Sequence, residues 1–132
     1  PILSNHGGRQ LDHDRGSMEV LPEVVDAVKG RATIIVDGGF NRGTDIVKAI
    51  AMGADIVGLG RMQCYGLAAA GVDGVVRMLE LLEAEVRSCM GLLGVNTLEE
   101  LDRSYLTTNA YPGLSNVLSA FPHLSLQEKA FY

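Results

Sequence analysis

Cysteine is scarce in this chain and tryptophan is missing altogether. Two cysteines in 132 residues, Cys64 and Cys89, are too few and too far apart for a disulfide framework or a zinc site. Both are expected as buried thiols in a reducing compartment. The histidines His6, His13 and His123 lack metal-ligand spacing, so no metal is expected. Basic residues are outnumbered, 11 Lys and Arg against 16 Asp and Glu, which leaves a net charge of −5. With no basic patch to neutralise phosphates, that balance argues against nucleic acid as a partner. No apolar run reaches the roughly 18 residues of a membrane span, and no secretory signal is visible. A cytoplasmic location is the expectation, with membrane attachment left to any upstream segment. What the chain does have is a 47% hydrophobic content without low-complexity tracts, which is globular in character.

The apolar segments alternate in kind. Pro1–Ser4 reads as the end of a buried strand. Leu21–Lys29 reads as a helix with Pro22 in its first turn and Gly30 as its stop. Ala32–Val36 is β-branched without polar alternation, as for a strand covered on both faces. Thr44–Met52 reads as a helix capped by Thr44 and ended by Gly53, and Ala54–Leu59 as a further strand. Val72–Leu93 is the longest helix, with Val75, Val76, Leu79, Leu82, Val86 and Met90 as its apolar stripe. Asp73 with Arg77, and Glu83 with Arg87, are opposite charges at helical spacing on its outer face. Thr97–Leu106 reads as a short helix opened by a Thr97–Glu100 capping box. Residues 107–132 carry Pro112, Gly113 and Pro122 and little periodicity, and are expected as an irregular tail. Strand–helix alternation of this kind implies an α/β fold with parallel strands and right-handed crossovers. Residues 1–106 then amount to about the last three β/α units of a (β/α)₈ barrel, because three strands cannot close a barrel of eight. The chain begins at Pro1, almost directly on its first motif, and is expected to be the back portion of a larger enzyme.

Each strand ends at a polar or glycine-rich motif, and strand C-termini are where such folds keep their chemistry. Ser4-Asn5-His6-Gly7-Gly8-Arg9-Gln10-Leu11-Asp12 sets a titratable imidazole three residues before a guanidinium. His6 is the candidate proton acceptor and Arg9 the candidate carboxylate clamp. Asp37-Gly38-Gly39-Phe40-Asn41-Arg42-Gly43-Thr44 is a strand-to-helix loop whose glycines let backbone N–H groups approach an anion. Gly60-Arg61 repeats that logic one strand later, with a guanidinium for phosphate. Asp12 and Asp14 read as turn or capping groups, His13 as exposed, His123 as incidental, and Tyr65, Tyr105 and Tyr111 as packing residues.

Taken together, Ser4–Asp12, Asp37–Asp45 and Gly60-Arg61 resemble the FMN-dependent α-hydroxy-acid oxidase and dehydrogenase family, to which glycolate oxidase, lactate oxidase and mandelate dehydrogenase belong. The resemblance extends over residues 1–103. It implies that His6 is the active-site histidine that accepts the substrate proton. By the same resemblance Arg9 grips the substrate carboxylate, and Asp37, Gly38, Gly39, Gly60 and Arg61 form the FMN phosphate site. It also implies a 2-hydroxy-acid substrate, oxygen or another electron acceptor, a homotetramer, and an upstream part of the barrel without which these residues are inactive. The family's loop carries Arg-Arg where this chain has Asn41-Arg42, so Asn41 supplies a hydrogen bond but no charge there, with Arg42 or Arg61 expected to compensate. The family's proline after Gly-Arg is Met62 here. A related phosphate-binding barrel, such as an inosine-monophosphate-dehydrogenase-like enzyme or a flavin-dependent isomerase, fits the Asp37-Gly38-Gly39 loop alone, but does not call for the His6–Arg9 pair. A non-enzymatic binding module leaves both glycine loops without a purpose.

Overall fold

The computed structural model describes residues 1–8 and 15–107. The expectations for Arg9, Asp12, His13, Asp14, Tyr111, His123 and the tail beyond residue 107 therefore lie outside the described residues.

The elements alternate as β1 (Ile2–Leu3), α1 (Ser17–Val28), β2 (Ile35–Asp37), α2 (Gly43–Ala51), β3 (Ile56–Gly58) and α3 (Arg61–Leu93). Short 3-10 turns at Leu98–Glu100 and Arg103–Tyr105 follow. The strands form one parallel sheet in the order β1-β2-β3. Register sorts the side chains by face, because a strand alternates sides at each residue. Leu3, Val36 and Val57 form one row, and Leu3 and Val36 are buried against Leu21, Ile34, Phe40, Ala49 and Ala54. Ile2, Ile35 and Ile56 form the opposite row, with Ile2 69% and Ile56 48% exposed. Cover on both faces was the expectation for these strands. Within the described residues, only the helix-side face has it.

Helix α1 starts at Ser17, ahead of the expected Leu21, because Gly16 in extended conformation already leads the chain in. Pro22 consequently lies inside the helix and not in its first turn. The stop comes at Lys29, which adopts the left-handed conformation itself (φ 51°) just before Gly30 (φ 70°). Helix α3 is longer than expected but is broken at Ala70 (φ −154°, ψ 31°) and Gly71 (φ 59°, ψ −138°). Its second arm, from residue 72, is the helix that the periodicity predicts. The two arms touch glycine to glycine, since a Cβ on Gly66 would lie 2.8 Å from the Gly74 carbonyl oxygen. Met78 and Leu82 carry the buried face of that arm, while Val76 and Leu79, expected in the stripe, stand about half exposed. Arg77 pairs with Glu80 at 2.9 Å in place of the expected Asp73. Arg87 pairs with Glu83 at 2.7 Å as expected.

A second core cluster of Val47, Ala51, Val95 and Leu101 joins α2 to the segment after α3. The Thr97–Glu100 capping box is formed, with Glu100 Oε1 accepting the Thr97 N–H at 2.9 Å. It opens two separate 3-10 turns, not the single helix expected over 97–106. Cys64 is exposed and Cys89 half-buried, so neither is the fully buried thiol expected. Tyr65 and Tyr105 are likewise exposed. No helix among the described residues is long and apolar enough to cross a membrane.

Candidate functional site

Parallel pairing puts the C-terminal ends of all three strands at one edge of the sheet. Ser4–Gly8, Asp37–Asn41 and Gly60-Arg61 are neighbours there for that reason.

After β1 the chain makes a tight left-handed turn. His6 (φ 53°), Gly7 (φ 68°) and Gly8 (φ 75°) follow one another in this region. Two glycines adopt it without penalty, but a histidine does so at a cost on the order of 1–2 kcal/mol. The turn is held locally. The His6 N–H donates to Ser4 Oγ at 3.1 Å, the Gly7 N–H to Asn5 Oδ1 at 3.0 Å, and the Gly8 N–H to the Asn5 carbonyl at 2.9 Å. His6 is exposed, so its ring is open to a ligand.

After β2, Asp37 leads into Gly38 (φ 103°) and Gly39 (φ 83°), two positions that demand glycine. Gly38 also sits tight against its neighbours. A Cβ there would lie 3.1 Å from Ser17 Oγ and 3.5 Å from Asn5 Oδ1, so the loop packs on the start of α1 and on the turn before His6. Ser17 Oγ is buried and has no hydrogen-bond partner among the described residues. Gly39 instead faces open space. A cavity of about 140 Å³ lined by Met18, Gly38, Gly39, Phe40, Asp45 and Lys48 opens beside the loop.

After β3, Gly60 is also open, and Arg61 is the first residue of α3. The Arg61 Nη2 atom lies 3.4 Å from the position a Gly7 Cβ would take. The guanidinium that the sequence points to as a phosphate ligand therefore reaches the turn that carries His6. Sequence spacing gave no sign of this contact, which joins the first and third motifs.

Asn41 and Arg42 are held from within the protein. Asn41 Nδ2 donates to the Gly39 carbonyl at 3.2 Å. Arg42 Nε donates to both Glu85 oxygens, at 2.9 and 3.1 Å, and Arg42 Nη2 to Glu85 Oε1 at 2.8 Å. Arg42, not Thr44, is the cap of α2, and Asp45 Oδ2 accepts its N–H at 3.0 Å. The Arg42 guanidinium and then the Gly43 N–H hold the Glu85 carboxyl below the usual carboxylate range. Glu85 pushes Arg42 further up in return. Glu85 carries no local sequence signal here, since it lies 42 residues beyond Gly43. Asn5 does carry one, since Asn two residues before Gly is a turn signal.

The strand ends offer groups that suit an anion: open backbone faces at Gly39 and Gly60, and the Arg61 guanidinium. An exposed imidazole stands at the adjacent strand end. The family described as FMN-dependent dehydrogenase matches residues 2–108. An L-lactate oxidase of Nostoc sp. is 48% identical over 105 residues, covering 80% of this chain and 29% of that protein. A peroxisomal (S)-2-hydroxyacid oxidase of Arabidopsis thaliana is 47% identical over 107 residues, covering 81% and 30% respectively. Among solved structures, the monotopic membrane protein (S)-mandelate dehydrogenase is similar with a TM-score of 0.77 and 46% identity, over 82% of this chain and 28% of that one. The chain thus spans about 30% of the length of these relatives. The expected architecture stands: these are parallel β/α units forming part of an α/β barrel.

Proposed function

The chain belongs to the FMN-dependent dehydrogenase family, and from that premise we propose that the complete protein oxidises a 2-hydroxy acid to the 2-oxo acid, with His6 as the base. The observation that carries this reading is the His6 turn. A histidine held at φ 53° between a strand end and two glycines is a strained placement, and strain of this kind collects at functional sites.

Bound FMN would supply the acceptor for the two electrons and the α-hydrogen that leave the substrate carbon. His6 takes the hydroxyl proton as the α-carbon is oxidised, and its exposed ring gives a substrate access to that nitrogen. Arg9, outside the described residues, is the proposed partner of the substrate carboxylate, a bidentate task that suits a guanidinium. Gly38, Gly39, Gly60 and Arg61 would hold the cofactor phosphate, with Asp37 at the strand end beside them. Oxygen or another acceptor would be the final oxidant. The row of Ile2, Ile35 and Ile56, exposed at both ends, would pack inside the rest of the barrel, and a homotetramer is the proposed assembly.

A visible spectrum of the complete protein tests the reading, taken before and after anaerobic addition of a panel of 2-hydroxy acids. Flavin bands that bleach with one acid support it. A flavin spectrum that no 2-hydroxy acid bleaches would favour a flavin-dependent isomerase or other FMN barrel. A protein that stays colourless with excess FMN overturns the reading.

The loop's departure from the family pattern makes a separate prediction. Arg42 is engaged by Glu85, so position 41 is where a further positive charge can be offered to the phosphate. Asn41→Arg should lower the FMN dissociation constant by roughly tenfold, the worth of one charge-assisted hydrogen bond. An unchanged constant in a flavin titration would refute it.

A further inference from the structure

The first backbone N–H groups of a helix have no partner within it, and the protein's own carboxylates take the Gly43 N–H and the two N–H groups that lead into α2. Asp45 Oδ2 accepts from Asn41 at 3.2 Å and from Arg42 at 3.0 Å. Glu85, on the second arm of α3, accepts from the Gly43 N–H at 2.6 Å and also binds the Arg42 guanidinium. The Asn41, Arg42 and Gly43 N–H groups are therefore engaged from inside the protein. The contact is close because Gly43 has no side chain: a Cβ there would lie 2.5 Å from Glu85 Cβ and 2.5 Å from the Val86 nitrogen.

As an ion pair alone this contact is worth little, since the Glu85 and Arg42 side chains are 33% and 48% exposed. Its consequence lies in what it connects. The Gly38–Asn41 loop runs directly into α2, and Gly60-Arg61 opens α3. Helix α3 is broken at Ala70-Gly71, so helix continuity does not fix its first arm relative to its second. The second arm is clasped to α2 through Glu85, and the first arm rests on the second through Gly66 and Gly74. We propose that Glu85 is a positioning residue for the cofactor phosphate, clasping α2 to α3 so that the Gly38-Gly39 loop is presented alongside Gly60-Arg61. This rests on the reading of those loops as the FMN phosphate site.

Charge alone makes the opposite prediction. A carboxylate near a phosphate repels it, and removing that carboxylate also releases Arg42 to attract it. On electrostatic grounds, loss of Glu85 should tighten FMN binding. On positioning grounds it should weaken it. The test uses Glu85→Ala and the isosteric Glu85→Gln in the complete protein. It reads the FMN dissociation constant of the apoprotein and amide hydrogen exchange across residues 39–45 without flavin. The expected result is an FMN constant raised about tenfold in Glu85→Ala, as for other residues that orient ligands from behind. A smaller rise is expected in Glu85→Gln, which keeps an acceptor for the Gly43 N–H. The Arg42 and Gly43 amides should exchange faster in both, and the substrate KM at saturating FMN should not change. An FMN constant that is unchanged or lower overturns the proposal, as does unchanged amide exchange. If Glu85→Ala does not fold, Glu85→Gln decides by the same signs. A wild-type protein that binds no FMN overturns the cofactor reading instead, and hydrogen exchange then still shows whether Glu85 holds the loop.

Discussion

His6→Ala in the complete protein should slow flavin reduction by a 2-hydroxy acid by about 10²- to 10⁴-fold, the usual contribution of a positioned general base. FMN content should not change. The separation follows from the layout of the edge. The proposed phosphate contacts come from Gly38, Gly39, Gly60 and Arg61, on the loops after β2 and β3, while His6 stands after β1. Arg61 approaches the first turn at the Gly7 backbone, an approach that truncating the imidazole leaves in place. The backbone introduces a complication. His6 sits at φ 53°, where alanine is less at ease than asparagine, the non-glycine residue best adapted to left-handed geometry. His6→Asn therefore keeps the turn while removing the base, and should lose as much rate as His6→Ala. Stopped-flow reduction under anaerobic conditions measures both. A rate within tenfold of wild type in either variant would remove His6 from the role of base.

How much of this site is legible in the sequence depends on how local each signal is. The strand ends could be read because each signal is local. Gly38-Gly39 after an apolar β-branched run marks a loop that needs positive φ, and both glycines have it. The three-strand alternation was legible for the same reason, and β2 and β3 lie within or beside the expected runs. What escaped was set at long range. Nothing near Arg42 in sequence announces Glu85, and nothing near Gly7 announces Arg61. Thr44 reads as a cap by residue type, yet Asp45 reaching back to the Arg42 N–H, with Glu85 on Gly43, fixes the helix start two residues earlier. The first arm of α3 was missed because Met62–Ala69 has no helical periodicity of polarity; it follows Gly60 and is stopped by Ala70-Gly71. Val76 and Leu79 fit the stripe by spacing but stand half exposed, while Met78 and Leu82 carry the buried face.

Gly43→Ala should destabilise the protein by about 1–3 kcal/mol, the usual range for overpacking a tight contact. By propensity alone the change would help, since alanine is favoured over glycine in a helix by about 1 kcal/mol. Geometry decides against it. The new methyl group would lie 2.5 Å from Glu85 Cβ, 2.5 Å from the Val86 nitrogen and 2.8 Å from the Glu85 carbonyl carbon. Two of those atoms are backbone and have no rotamer in which to escape, so α3 must move away from α2. That movement lengthens the 2.6 Å hydrogen bond from Gly43 to Glu85 and opens the Val47–Val95–Leu101 cluster behind it. The denaturation midpoint should fall by roughly 5 °C if the cost lies near the middle of that range, given 2–4 °C per kcal/mol at this size of domain. Gly91→Ala, on the same helix α3, is the control. Nothing lies within 4 Å of a Cβ at that position, so there the propensity gain acts unopposed and the midpoint should rise. A Gly43→Ala protein as stable as wild type would mean that α2 and α3 are not held at the separation described, and the clasp through Glu85 would lose its basis with it.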